Sequence, residues 1–471
     1  ATIMTDPGMA DATYIEPLTV EALEKIIEKE RPQALLPNLG GQTGLNLAAE
    51  LSRRGILSKY GVRIIGVQAD AIERGEDRIE FKATMARLGI PMPESDPAYS
   101  VEEALEIADR LGYPVVVRPA YTLGGWGGGI TYNKEELRTI AQRGISASLI
   151  GQIMVEEAVI GWEELELEVV RDAENNLITV CFIENIDPMG VHTGDSFCSA
   201  PMLTISEDVQ RRLQEYSYRI VEAIQVIGGT NVQFAHNPND GRIVVIEINP
   251  RTSRSSALAS KATGFPIAFV SAKLAGGYTL KDIPYWREGT LDKYTPWGDY
   301  VVIKFARWAF EKFKGSQDKL GTQMKAVGEV MSIGKNFKEA FLKSIRSLEI
   351  KRYGLNNIKK FKDLDINQIK TKLSTPSSER IFLIYEALQK GVSEEEIFQL
   401  TKISKWYIKQ MQELLDLERK IKKYKGKDIP YKLLAKAKND GFSDRYLSEI
   451  LDKPESEIKN KRTKIKKIAG Y

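Results

Sequence analysis

The sequence predicts an α/β protein in three parts: a small unit with a parallel sheet, a larger mixed α+β block, and an all-helical tail. Three observations carry this. Residues 1–90 alternate strand-like and helix-like runs around a glycine-rich strand-to-helix turn, Gly40-Gly-Gln-Thr-Gly44. Residues 90–345 contain several short apolar or alternating runs that read as strands, ending in a hairpin around Asn237-Pro-Asn-Asp-Gly241. Beyond about residue 350 the chain turns Lys-rich, loses its glycine clusters and is helical by period.

In order, residues 20–30 have helical periodicity, 33–37 read as a short buried strand, 45–53 as a helix and 62–67 as a second strand. In the central block 101–111 is an amphipathic helix and 114–118 a strand, with the glycine run Gly124-Gly-Trp-Gly-Gly-Gly129 following. Residues 153–157, 164–171 and 177–184 read as strands, the second alternating Leu-Glu-Leu-Glu, and 209–227 as a long helix. In the tail, Ser393 with Glu396 has the spacing of a capping box. Gly391-Val-Ser-Glu and Gly441-Phe-Ser-Asp read as two equivalent helix starts, a weak internal repeat.

Bulk properties set broad limits. The 471 residues suffice for two to four domains; 42% are hydrophobic and 28% charged, ordinary for a soluble protein. The net charge is +3, but residues 401–471 carry 20 Lys/Arg against 10 Asp/Glu, so the tail holds +10 and the rest −7. Two cysteines, Cys181 and Cys198, provide neither a disulfide framework nor zinc spacing, which favours a reducing, cytoplasmic setting. No apolar run has membrane-spanning length. The opening Ala1-Thr-Ile-Met-Thr-Asp-Pro7 reads as the middle of a domain whose first segment is missing.

The hairpin carries the chemistry. Glu247 and Asn249 are two residues apart on one strand, so they share a face, and Gln233 lies roughly opposite on the other. Such oxygen donors suit Mg²⁺ or Mn²⁺. Arg251 and Arg254, just beyond, suit a phosphate or another oxyanion. An amphipathic hairpin with a polar outer face explains Glu247 alone, and explains less well the whole set gathered at one end. The run from Arg118 to Ile130 lacks the Gly-Lys-Ser/Thr of a Walker A loop and the spacing of a dinucleotide fingerprint; it reads as a glycine flap over a nucleotide. His192, one of two histidines, sits in the loop Asp187-Pro-Met-Gly-Val-His-Thr-Gly-Asp-Ser196, where a hydrogen-bonded structural role competes with a catalytic one. No Cys-His or Ser-His-Asp set assembles on spacing. Glycine flap, acidic-amide face and arginines together describe phosphoryl transfer from ATP, which works by positioning and charge neutralisation.

At this point the motifs identify a family. Gly40-Gly-Gln-Thr-Gly-Leu-Asn46, Glu76-Asp-Arg78, Arg118-Pro with Gly124–Gly129, Gly190-Val-His-Thr-Gly-Asp-Ser196, Asn231-Val-Gln-Phe234, Glu247-Ile-Asn-Pro-Arg-Thr-Ser-Arg254 and Ser255-Ser-Ala-Leu-Ala-Ser-Lys-Ala-Thr-Gly264 strongly resemble the large subunit of carbamoyl-phosphate synthetases, in its amino-terminal, carboxyphosphate-forming half. The resemblance is specific to about residue 345 and weaker through the tail. It implies an ATP-grasp fold at 77–349, preceded by a partial pre-ATP-grasp α/β domain at 1–76 and followed by a helical oligomerisation domain at 350–471.

The resemblance also implies a two-step reaction. Bicarbonate attacks the γ-phosphate of ATP to form carboxyphosphate, and ammonia displaces phosphate to form carbamate. A second synthetase half, on another chain, would phosphorylate the carbamate, and a glutaminase small subunit would supply ammonia. Arg78 and Arg118 would contact phosphates or carboxyphosphate, and Gly124 and Gly125 would lie on the flap. Glu157 and Val159 would meet adenine and Glu164 the ribose. Gly190, Val191 and His192 would line the nucleotide pocket, with His192 also counted among the catalytic residues. Gln233, Glu247 and Asn249 would hold two divalent cations, Mg²⁺ or Mn²⁺. Arg251 and Arg254 would orient bicarbonate and stabilise the developing phosphoryl charge. K⁺ would sit near Asn185, Asp187 and Ser196. Trp126 departs from the small residue usual in the flap. The sequence leaves two alternatives within reach of the same motifs: a biotin-carboxylase-like enzyme and a non-catalytic assembly scaffold. A third, a DNA-binding helix-turn-helix at 394–411, is disfavoured, because an interaction domain explains the tail without nucleic acid.

Overall fold

The computed structural model describes residues 6, 8–120, 127–148, 150–285, 287, 289–313, 315–355 and 359–464. The flap residues Gly124, Gly125 and Trp126 lie outside them. Among the described residues no helix is long and apolar enough to cross a membrane.

The first unit pairs two strands in parallel, β1 (Ala34–Leu35) and β2 (Arg63–Ile64), and packs helices Val20–Glu30 and Gly41–Arg53 together over Val20, Ile27, Leu51, Ile56 and Leu57. Both strands are shorter than the apolar runs suggested. Pro37 has no N–H to extend the first, and Gly66 turns the second away at φ +80°. The helix expected at 45 starts at Gly41, because the glycine turn is itself the first helical turn. Gly44 has to be glycine there: a Cβ would stand 2.7 Å from the Pro37 carbonyl oxygen. Helix Ala69–Glu76 ends at Asp77, whose carboxylate caps the next helix, Arg78–Leu88, by accepting from the N–H groups of Ile79 and Glu80 at 2.8 and 3.0 Å.

Two antiparallel sheets follow. The smaller contains β3 (Ser95–Ala98), β4 (Val115–Pro119), β5 (Gly129–Thr131) and β6 (Ile153–Glu157) in the order β3-β6-β4-β5. Helices Val101–Leu111 and Lys134–Ala147 pack on the side bearing Val115, Val117, Ile153 and Val155. Strand alternation therefore puts Val116, Arg118, Met154 and Glu156 on the opposite side.

The larger sheet contains β7 (Glu163–Arg171), β8 (Leu177–Asn185), β9 (Cys198–Ala200), β10 (Gly228–His236), β11 (Ile243–Asn249), β12 (Val301–Arg307) and β13 (Gly328–Gly334), in the order β11-β10-β7-β8-β9-β12-β13. Leu165, Leu167 and Val169 of β7 join Val232, Phe234 and Val245 under helix Glu207–Ile224. The alternating residues Glu164, Glu166 and Glu168 face the other way, so the Leu-Glu pattern is an apolar side and a buried acidic side of one strand. The helix expected to run to residue 227 stops at Ile224, where Gln225 takes a left-handed conformation at φ 65°.

The helical tail bears out the internal repeat. Gly391 (φ +88°) and Gly441 (φ +92°) each precede a serine N-cap, Ser393 and Ser443, and an eight-residue helix, Glu394–Thr401 and Asp444–Leu451. Each helix ends on a left-handed residue, Lys402 and Asp452. Only half the capping box forms at Ser393: it accepts from the Glu396 N–H, while the Glu396 carboxylate pairs with Lys370 at 2.6 Å. The helix-turn-helix geometry is present, but the second helix, Lys405–Lys422, buries Tyr407, Ile408, Met411, Leu414, Leu415 and Ile421 in the core. That core runs without a break into Phe305 of β12 and into Ile186, Val191 and Phe197 of the loop after β8, so the tail is welded to the large sheet.

Candidate functional site

The site lies between the side of the small sheet that bears Arg118 and Glu156, the acidic side of the large sheet and the glycine turn of the first unit. β10 and β11 place Gln233 directly across from Glu247 and Asn231 across from Asn249. The Asn231 side-chain oxygen accepts the amide N–H groups of both Gln233 and Asn249, each at 3.3 Å. Asn249 also donates to the Glu247 carboxylate at 3.3 Å, so the three side chains form one connected face. Asn249 Oδ1 accepts from Arg251 at 2.8 Å, and the Arg251 Nε donates to Gln42 Oε1 at 3.0 Å. Gln42, from the glycine turn, donates in turn to Glu76 at 3.0 Å. Neither Arg251 nor Arg254 forms a salt bridge with a described carboxylate; Arg254 rests on the sulfur of Met324 at 3.0 Å.

On the small sheet Arg78 and Arg118 hold opposite oxygens of Glu156, at 3.2 and 3.1 Å. Burial alone would raise the Glu156 carboxyl, but the two guanidinium charges outweigh it and bring the group below its ordinary range. Half-buried Arg78 stands beside Arg118, and desolvation and that like charge push it down; the charges of Glu156 and Glu247 work against them. Glu76, exposed at the mouth of the site, is raised by the desolvation of its surroundings, with Arg251 opposing and Glu247 adding. The charge of Glu247 thus acts on Glu76 and Arg78, on His192 and on Glu164, which come from three different parts of the chain.

Deeper, Glu166 accepts from Asn185 and Thr193 on one oxygen (2.8 and 2.6 Å) and from Asn231 on the other (2.9 Å). Glu168 accepts from Asn231 and Ser256 at 3.0 and 2.8 Å. Burial still pushes Glu168 up to about 8. Glu164 is raised well above the ordinary range, by burial and then by the neighbouring Glu166. Glu164 Oε2 and Asn185 Oδ1, both on this acidic side, are among the buried oxygens that have no hydrogen-bond partner among the described residues.

The loop after β8 closes at its base through Ile186 N–H to Phe197 O, 2.9 Å. Gly190 takes φ +112° there. His192 Nδ1 accepts from the Gly194 N–H at 2.9 Å, and burial lowers its pKa, so the ring is neutral. A second loop pairs with this one: Gly161 N–H donates to Met189 O at 3.0 Å and Met189 N–H to Trp162 O at 2.9 Å. Val159, Met189, Trp162 and Ile246 form an apolar patch beside them. The Glu157 carboxylate is taken by Arg242, two bonds of 2.7 and 2.9 Å, and its N–H donates to the Glu94 carbonyl at 2.7 Å.

The structure therefore brings Gln233, Glu247, Asn249, Arg251 and Arg78 together with His192 and Glu164, and sets Arg118 beside Arg78. Val159, Glu157, Gly190 and Val191 lie at the paired loops, and Arg254 stands at the start of helix Arg254–Thr263. Sequence reasoning gave no role to Gln42, Glu76 and Asn231, though each stands in a motif quoted for the family, and it missed Glu156, Glu166 and Glu168. The Leu-Glu alternation was the one available signal for the last two.

Comparison with known proteins agrees. Residues 1–74 match the family description "Carbamoyl phosphate synthase preATP-grasp domain", 77–283 "Carbamoyl-phosphate synthase L chain, ATP binding domain" and 329–466 "Carbamoyl-phosphate synthetase large chain, oligomerisation domain". The carbamoyl phosphate synthase large chain of Archaeoglobus fulgidus is 53% identical over 468 residues, which are 98% of this chain and 44% of that relative. The arginine-specific chloroplastic large chain of Arabidopsis thaliana is 48% identical, over 100% of this chain and 40% of its own length. The chain thus spans less than half the length of these relatives.

Among solved structures, the Campylobacter jejuni biotin carboxylase complex with β,γ-ATP aligns with a TM-score of 0.55 at 17% identity, covering 79% of this chain and 84% of that one. The biotin carboxylase domain of Hydrogenobacter thermophilus 2-oxoglutarate carboxylase, in complex with MgADP, ADP and bicarbonate, aligns at 0.57 and 19%, covering 72% and 80%. These likenesses establish the ATP-grasp fold. With three of the family's domains matched in sequence along its length, the chain belongs to the carbamoyl-phosphate synthase large-chain family.

Proposed function

We propose that this chain uses ATP to activate bicarbonate as carboxyphosphate and aminates that intermediate with ammonia to carbamate, within carbamoyl phosphate synthesis for arginine and pyrimidines. The observation that supports this most is the convergence on Glu247: an amide-carboxylate face, a guanidinium held in place by Gln42 and Asn249, and two arginines, from helix Arg78–Leu88 and from β4, that meet on Glu156. Arg251, tethered but carrying no carboxylate partner among the described residues, suits a small oxyanion such as bicarbonate. Arg78 and Arg118 suit the phosphates, and the apolar patch at Val159, Trp162 and Met189 suits the base.

Gln233, Glu247 and Asn249 would hold the divalent cations. The fit is in their chemistry: one carboxylate and two amide oxygens are hard donors suited to Mg²⁺ or Mn²⁺, and no group of three His, Cys, Asp or Glu offers a rival centre among the described residues. When bound, such ions neutralise charge on the β- and γ-phosphates. The orphan oxygens of Glu164 and Asn185 favour a monovalent cation, K⁺, on the acidic side of β7 and β8. Asp187, by contrast, is engaged by Arg380, and Ser196 donates to the Phe197 carbonyl. We assign to the full assembly a second synthetase half on another chain, a glutaminase subunit, oligomerisation through the helical domain and a cytoplasmic location. The domain limits 1–76, 77–349 and 350–471 belong to the same reading.

The test is ADP release with Mg²⁺ and ATP, with and without bicarbonate and then with ammonia. Bicarbonate-dependent release that rises with ammonia is expected. Release that requires biotin instead would favour a biotin-carboxylase-like reaction, and no bicarbonate dependence would leave the chain an assembly subunit.

A further inference from the structure

Arg380 is the first residue of helix Arg380–Gln389 in the helical domain, yet its side chain reaches the loop after β8. Its Nη1 meets Asp187 Oδ1 at 2.6 Å and its Nη2 meets the Thr401 carbonyl at 2.6 Å; both partners of the ion pair are almost fully buried. Asp187 also accepts from the Phe197 N–H at 3.3 Å, at the closure of the loop that carries Gly190, Val191 and His192. Thr401 ends its helix, and the next residue, Lys402, lies against the second loop: a Cβ on Gly161 would stand 3.1 Å from Lys402 Cγ. The two loops are bonded to each other through Gly161, Trp162 and Met189. One guanidinium therefore fixes a helix end behind one loop and a carboxylate at the base of the other. A buried pair of this kind specifies geometry: taking one partner away leaves the other charge uncompensated in the interior, and the loop must move to rehydrate it.

We propose that Arg380 is a positioning residue for nucleotide binding, holding the paired loops 159–162 and 186–197 in their binding geometry from the helical domain. This rests on the reading of those loops as the base side of the nucleotide pocket. The experiment measures MgADP affinity of the whole chain by calorimetry, together with KM for ATP and kcat of bicarbonate-dependent turnover. Arg380→Met is expected to weaken MgADP and raise KM by roughly 3- to 30-fold, with kcat changed much less. Arg380→Lys, which keeps the charge beside Asp187, recovers part of the loss. The double variant Arg380→Met/Asp187→Asn removes both charges, so it preserves folding, and still binds weakly. Tyr407→Phe breaks a different buried link between the helical domain and the sheet, its 3.1 Å bond with Ser199, and leaves nucleotide affinity unchanged. Wild-type affinity in the folded double variant, or equal weakening by Tyr407→Phe, overturns the inference. A wild-type chain that binds no nucleotide overturns the reading of the loops, and the inference with it.

Discussion

Gln233 and Glu247 are cross-strand partners in the ladder of β10 and β11, one residue before a register shift that follows Gln233. Directly opposed residues stand closest across a sheet. The pair thus presents a carboxylate and an amide oxygen from two strands at one point, which a single strand cannot do. Replacing the carboxylate by an amide keeps shape and removes charge. Glu247→Gln should lower bicarbonate-dependent ADP release by about 10²–10³-fold, as loss of one preorganised electrostatic group does. The thermal midpoint should stay close to wild type, because Glu247 is only half-buried. Equal turnover in the two proteins would remove Glu247 from the site.

Arg251 gives a graded test. It is held from two sides, by Asn249 on β11 and by Gln42 from the first unit. Arg251→Met should cost about 10²-fold in bicarbonate-dependent turnover. Gln42→Ala leaves the Asn249 tether in place and should cost roughly tenfold or less, mostly through looser orientation. If Gln42→Ala costs as much as Arg251→Met, Gln42 does more than hold the guanidinium.

The difference between those two residues also shows what the sequence could tell. Arg251, Glu247 and Asn249 were legible because they follow one another along a strand and its exit, where spacing alone fixes the face. Gln42 is 209 positions from its partner. Nothing local marks it as part of the site, since its role comes from the first unit docking against the end of β11. Glu156 was hidden in the same way: its meaning lies in Arg78 and Arg118, which reach it from helix Arg78–Leu88 and from β4. Glu166 and Glu168 were visible as an alternation, but alternation reads as a wet face unless the layer covering it is known. At fold level, the hairpin, the amphipathic helices and the two glycine-serine helix starts were legible from period and turn chemistry. The fusion of the tail with the large sheet was not, because the apolar face of a helix does not name what it packs on.

The buried acidic side of β7 should show in the pH dependence of stability. Glu168 titrates at about 8 in the folded protein and near 4.3, the ordinary glutamate value, when unfolded. Between those values the folded state holds a proton that the unfolded state has released. Stability is therefore fullest below the lower value and declines as pH rises through the upper one. Glu168→Gln keeps hydrogen-bonding capacity toward Ser256 and Asn231 and removes the titration. Its thermal midpoint should fall less than that of wild type between pH 6 and pH 8.5. Identical slopes in the two proteins would mean that Glu168 is charged throughout, held so by the hydrogen bonds it accepts.

The repeat in the tail allows two glycines in the same backbone state to be compared. Gly391 and Gly441 both have φ near +90° and both precede a serine cap. A Cβ on Gly391 would meet nothing within 4 Å, so Gly391→Ala carries only the conformational cost, about 1 kcal/mol. A Cβ on Gly441 would stand 2.7 Å from Glu339 Cα, and backbone cannot move aside as a side chain can. The Gly441 carbonyl also accepts from Arg346 at 2.9 Å, on the same helix as Glu339. Gly441→Ala should therefore cost about 2–4 kcal/mol, the conformational term plus overpacking against helix Phe337–Ser347. Urea unfolding monitored by circular dichroism separates the two cases. Equal losses would show that the second repeat does not pack on that helix as tightly as the Glu339 contact requires.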